Sequence, residues 1–196
     1  MASNLSTTPS RASGAMFFSV FGTAWISCWC LATYGVAPRA LASIIAAGGA
    51  LFLLSLRVRL RRRSGLDSDF HSVKRVRTRR KFMAINVIQW TAIVIAVNTL
   101  TNTNHRAWVA AAIILIVGLH FIPLAVIFQY RAHYITGLAL ILLAVVYPFV
   151  AVGGPANAVG ALGAGIILWL STIGSLFVSV RTEPAGPHEI TPFERL

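Results

Sequence analysis

The residues best placed for chemistry are a few polar side chains set within long apolar runs. Asn86, Gln89 and the neighbouring Trp90 form one group, and His120 with Pro123 a second. Thr23, Ser171 and Thr172 fall at comparable positions in two further runs. His120 is the only titratable member, with an ordinary pKa of about 6.5. An imidazole there can take a proton, a metal or a ligand, or simply accept a hydrogen bond. Pro123 brings no N–H, so the carbonyl of Leu119 loses its helical donor, making a polar notch beside His120. The plainer account is that Asn, Gln, Ser, Thr and His join helices by hydrogen bonds worth about 0.6 kcal/mol on average.

Other chemistries lack their parts. The apolar runs contain no Asp, Glu, Lys or Arg in their interiors. Carboxylate-driven proton coupling, metal–carboxylate hydrolysis and paired-acid glycoside chemistry therefore have no candidates. No Ser-His-acid set, HExxH helix or phosphate-binding glycine loop occurs, so neither a nucleotide nor another cofactor is expected. One histidine is not a metal site, and no metal is expected; His105 and His133 are expected at opposite membrane faces, away from His120. Cys28 and Cys30 lie two apart in an apolar run and read as thiols on different faces of a buried helix.

The elements that position these groups follow from composition. Of the residues, 57% are hydrophobic and 11% charged, whereas a soluble domain carries about a quarter charged residues. Six runs approach the roughly 20 residues that cross a bilayer core: about 15–36, 40–56, 82–100, 108–128, 134–152 and 158–180. The expected fold is all-α, an integral membrane bundle of about six transmembrane helices. The first run is a poor signal peptide, with a weak basic start and too long an apolar stretch. Residues 1–14 read as a disordered tail and 181–196 as an irregular one.

Eleven of the 17 Lys and Arg are packed into residues 57–81, read as a basic loop: Arg57, Arg59, Arg61, Arg62, Arg63, Lys74, Arg75, Arg77, Arg79, Arg80 and Lys81. Lys and Arg collect in cytoplasmic loops, so with this loop and both termini inside, 15 of the 17 fall on the cytoplasmic side. The same effect accounts for the formal charge of +12, and no nucleic-acid partner is expected. Anionic lipid headgroups are the expected partner of the loop, at about 1 kcal/mol per charge. Gly160, Gly163, Gly165 and Gly174, with Ala161 and Ala164, give the sixth run a small-residue face suited to close packing in the bundle or against a second copy in a homo-oligomer.

The hairpin of the third and fourth runs puts Gln89 about 12 Å above Lys81 and His120 about 13 Å above Gln129, at one depth on adjacent helices. N-x-x-Q-W at Asn86, Gln89 and Trp90, followed by G-L-H-F-x-P-L-A from Gly118 to Ala125, resembles a group of small bacterial integral membrane proteins of uncharacterised function. The resemblance implies that Asn86, Gln89, His120 and Pro123 belong to one constellation in a bacterial plasma membrane protein. Two functions follow as expectations. One is a small transporter or channel-like protein with a site at Gln89 and His120. The other is a non-catalytic scaffold using its basic loop; an enzyme is a distant third.

Overall fold

The computed structural model describes residues 8–63, 72–128 and 130–181, and among these every regular element is helical. The helices are α1 (Thr8–Tyr34), α2 (Pro38–Arg63), α3 (Ser72–Asn102), α4 (Val109–Phe128), α5 (Ala132–Val150) and α6 (Val159–Arg181), with single 3-10 turns at Arg106–Trp108 and Gly154–Ala156. Six stretches of the described residues are long and apolar enough to cross a membrane, Gly14–Tyr34, Pro38–Arg61, Arg80–Asn102, Arg106–Phe128 (the 3-10 turn with α4), Ala132–Val150 and Val159–Val178. The chain is a multi-pass helical membrane protein.

Two boundaries differ from the sequence reading. The basic stretch is not simply a loop: α2 continues through Arg63 and α3 begins at Ser72, leaving 64–71 outside the described residues. Arg and Lys are good helix formers, and their long stems can lie along apolar surface while the charges stay wet. At 31 residues, α3 is about 46 Å long, well beyond a bilayer core. Likewise, α1 begins at Thr8, inside the stretch read as a disordered tail. Residues 1–7 and most of the C-terminal tail lie outside the described residues.

The turns carry the expected breaker chemistry. Between α5 and α6, Gly153 and Gly154 adopt φ of 87° and 68°, a region open to glycine without strain. Asn157 then caps α6, its Oδ1 accepting the Val159 N–H at 2.8 Å and its Nδ2 donating to the Val152 carbonyl at 2.6 Å.

Packing centres on α6, which lies against α1 and α5 and also meets α2 and α4. The remaining principal contacts are α1 with α2, α4 with α5, and α3 with α4. Close approach is built on glycine in most of these pairs. A Cβ on Gly165 would collide with Ile26 and stand 2.9 Å from the Gly22 carbonyl oxygen of α1. One on Gly137 would stand 2.8 Å from the Gly118 carbonyl oxygen of α4. Gly160 faces the Tyr147 ring of α5, Gly163 faces Leu143, and Gly48 of α2 accommodates Thr23. The small-residue face of α6 is thus filled largely within the chain; only Gly174 has open space beside it.

The apolar core runs through Phe18, Ile114, Phe121, Leu124, Leu140, Ala164 and Leu168. Helices α2 and α3 are peripheral, and no residue of α3 from Arg80 to Asn102 is buried. The outer surface of α3 is apolar: Met83, Val87, Ile88, Trp90, Val94 and Ile95 are all exposed, as hydrocarbon solvent requires. Cys30 is buried and Cys28 exposed, so only one of the two thiols is inside.

Candidate functional site

The polar residues predicted from sequence separate into two sets. Thr23, Ser171 and Thr172 belong to a seam around α6. Thr23 donates to the Ser19 carbonyl at 2.7 Å and accepts from Trp169 Nε1 at 3.3 Å. Thr172, wholly buried, lies 3.1 Å from the Leu168 carbonyl and 3.3 Å from the Ala15 carbonyl of α1. Ser171 donates to the Ile167 carbonyl and meets Thr136 of α5 at 2.8 Å. Further along, Ser175 meets Tyr130 at 3.4 Å. These hydroxyls are spent on carbonyls and on each other, which is what helix-joining groups do.

The second set lies on α3 and α4. The Phe82–Phe128 ring contact, with centroids at 5.9 Å, fixes the register of this antiparallel pair. Seven residues further along each helix from that contact stand Gln89 and Phe121, so Gln89 and His120 do share a depth. Asn86 satisfies itself by donating to the Phe82 carbonyl at 2.9 Å. Gln89 is half-buried on the packed side of α3. Trp90 is not part of this arrangement: one residue on, a rotation of about 100°, it is 56% exposed on the outer surface. Pro123 lies inside a continuous α4.

His120 departs from the pattern of its neighbours. Its ring is half-buried against Phe121, with centroids 6.0 Å apart, and its Nδ1 is buried without a hydrogen-bond partner. No Gln89–His120 bond occupies it. An orphan polar atom costs about 1–3 kcal/mol, so a polar side chain kept in this state is not acting as a strut.

A second histidine, which the sequence reading set at the membrane face, joins it. His133 is buried, at 7% exposure, and its Nδ1 also lacks a partner. The reason is the close crossing of α4 and α5 at Gly118 and Gly137, which draws the first turn of α5 under α4. From that crossing Phe121 lies three residues along α4 and His133 four along α5, both toward the end carrying Arg57 to Lys81. The His133 ring stacks on Phe121 at 5.9 Å and 27°. Phe18 at 5.6 Å, Phe128 at 6.2 Å and Tyr130 at 5.0 Å meet it edge-on. Gly14 of α1 also adjoins it: a Cβ there would make an ordinary van der Waals contact, 3.7 Å from His133 Cε1. Phe121 therefore contacts two imidazoles, one from its own helix and one from α5. The usable signal in the sequence was a glycine in each arm of the hairpin, marking where the helices approach most closely. His105, by contrast, is exposed in the α3–α4 turn, as expected.

Among the described residues no cluster of three or more His, Cys, Asp or Glu could hold a metal ion. At the basic end, Arg57, Arg61, Arg80 and Lys81 are exposed, while half-buried Arg59 reaches Met16 Sδ at 3.8 Å. Arg62, Arg63, Lys74, Arg75, Arg77 and Arg79 continue the helices there. No family model, curated protein or solved structure matches the chain.

Proposed function

We propose that the protein is a small transporter or channel-like protein of a bacterial plasma membrane, passing a small polar solute or ion by way of His120. Both termini and the basic ends of α2 and α3 face the cytoplasm, an orientation supported by the distribution of Lys and Arg. One observation carries the reading. Thr23, Ser171 and Thr172 spend their hydroxyls inside the chain and Asn86 its Nδ2, whereas His120 keeps a buried Nδ1 with no partner. In hydrocarbon an unsatisfied polar group is selected against unless something else uses it. The basic helix ends hold anionic lipid beside this path and anchor the bundle at the inner leaflet.

The test is flux in proteoliposomes bearing wild-type protein or His120→Leu. Osmotic swelling with urea and glycerol, potassium release, and proton entry read by trapped pyranine cover the relevant classes. The expected result is at least one flux above that of protein-free liposomes, abolished in His120→Leu while helical content and insertion are kept. Equal flux in the two proteins, or no flux of any probe, overturns the reading.

A further inference from the structure

His120, half-buried, and His133, buried, share one structural feature, a buried ring nitrogen with no partner in the protein. They also share a neighbour, since the Phe121 ring contacts both. The flanking hydroxyls of Thr136, Ser171 and Ser175 are already committed to carbonyls of their own helices. A ligand for the two nitrogens must therefore be small enough to enter closely packed aromatic side chains. It must also pair with a ring nitrogen, and a neutral imidazole offers one N–H and one lone pair for that purpose. A proton meets both conditions and requires no cavity.

We propose that His120 and His133 form one proton site in the half of the bundle nearer the basic end, so that the ion carried or coupled is the proton. The proposal deepens the transport reading and rests on it for its physiological direction. The step is simple in its balance. A hydronium ion gives up a proton, the lone pair of one imidazole forms an N–H bond, and water is left; release is the reverse, with nothing oxidised.

The surroundings suit a site that must both fill and empty. Four aromatic rings enclose His133; the Phe121 ring stacks on it face to face, where an imidazolium gains cation–π attraction, and the other three meet it at steep angles. Opposing it are the positive N-terminal end of α5, the exposed Arg131 that precedes that helix, and any charge on His120 of α4. From α1 no charged side chain faces the site between Gly14 and Phe18. Arg59 of α2 stops at Met16, two residues from both Gly14 and Phe18, Tyr130 lies against the ring, and α6 carries no charged residue up to Val178. Access is short, since Arg131 at the start of α5 is two residues from His133.

The experiment is a titration of imidazole nitrogen-15 signals in full-length protein in lipid nanodiscs, over about pH 3 to 8, reaching well below the range where histidine ordinarily changes charge. Replacing His71, His105 and His188 by Gln leaves the ring nitrogens of His120 and His133 alone. His120→Gln and His133→Gln in that background assign them and test coupling. The expected result is mutual dependence, in which removing either histidine moves the other's midpoint by about one unit, as interacting sites require. Midpoints unaffected by removal of the partner, or no titration in either residue while the fold persists, overturn the proposal. Should His133→Gln fail to fold, the His120→Gln arm, read at His133, decides the question alone. Coupled titration in a protein with no flux leaves the pair standing and removes transport. His120-dependent flux of urea with uncoupled histidines does the reverse.

Discussion

Replacing Gly165 by alanine adds one methyl group to α6 where α1 crosses it, and the consequences can be worked through atom by atom. That methyl would collide with Ile26 and stand 2.9 Å from the Gly22 carbonyl oxygen and 3.1 Å from the Ile26 amide nitrogen. Two of the three obstacles are backbone, so no rotamer change relieves them. The helices must separate, and α1–α6 is the most extensive interface in the bundle. Overpacking of this kind costs about 1–3 kcal/mol. For a domain of this size each kcal/mol moves Tm by about 2–4 °C, so Gly165→Ala should lower Tm by about 2–12 °C. Gly174, nine residues along the same helix, is the control: a Cβ there meets nothing. Gly174→Ala should gain part of the roughly 0.8–1.0 kcal/mol by which alanine exceeds glycine in helices. Two substitutions with the same chemistry are thus expected to have opposite signs. Tryptophan fluorescence during thermal unfolding in detergent reads both. Similar shifts at the two positions would refute the assignment of Gly165, and not Gly174, to the tight crossing.

Three further outcomes are expected. Thr136→Val and Ser171→Ala, taken singly and together, should give a coupling energy of about 0.6 kcal/mol, the average for interhelical hydrogen bonds, measured by denaturation in mixed micelles. A strictly additive double variant would count against their 2.8 Å contact. Replacing Arg57, Arg61, Arg80 and Lys81 together by Gln should deplete co-purifying anionic lipid, at about 1 kcal/mol per charge removed, with the amount read by lipid mass spectrometry on correctly inserted protein. Unchanged anionic lipid would remove the role given to the basic helix ends. Phe18→Ala opens a gap beside Phe121 and His133, and large-to-small truncation of a buried Phe costs about 3–5 kcal/mol. A loss under 1 kcal/mol in thermal unfolding would mean that this aromatic cluster is not closely packed.

The fold was legible in the sequence because the bilayer imposes a crude and strong requirement. Runs such as Trp108–Phe128 can only be buried in hydrocarbon or a core, and breakers such as Gly153–Gly154 end them sharply. Depth was legible as well, since a tight hairpin and a fixed rise place Gln89 and His120 without knowledge of any contact. Facing was not legible. Trp90 adjoins Gln89 in sequence yet points outward, and the hydrophobic period is too weak to reveal this when lipid and core are equally apolar. The continuation of α2 and α3 through their basic ends was missed because charge was read as loop, although arginine and lysine are good helix formers. His133 was missed for a related reason. A residue at the start of a helix looks interfacial until one knows that Gly118 and Gly137 bring α5 against α4.

The most direct test of the central claim, that His120 is kept for something other than holding helices together, is the thermal stability of His120→Leu beside wild type, at a fixed pH of about 8 in the same detergent, with histidine largely neutral. Leucine removes an orphan nitrogen whose full penalty is about 1–3 kcal/mol, reduced because the ring is only half-buried. The account predicts a Tm equal to that of the wild type or higher by a few degrees. A fall corresponding to about 0.6 kcal/mol or more, the average for a lost interhelical hydrogen bond, would mean that His120 is a strut and would contradict it.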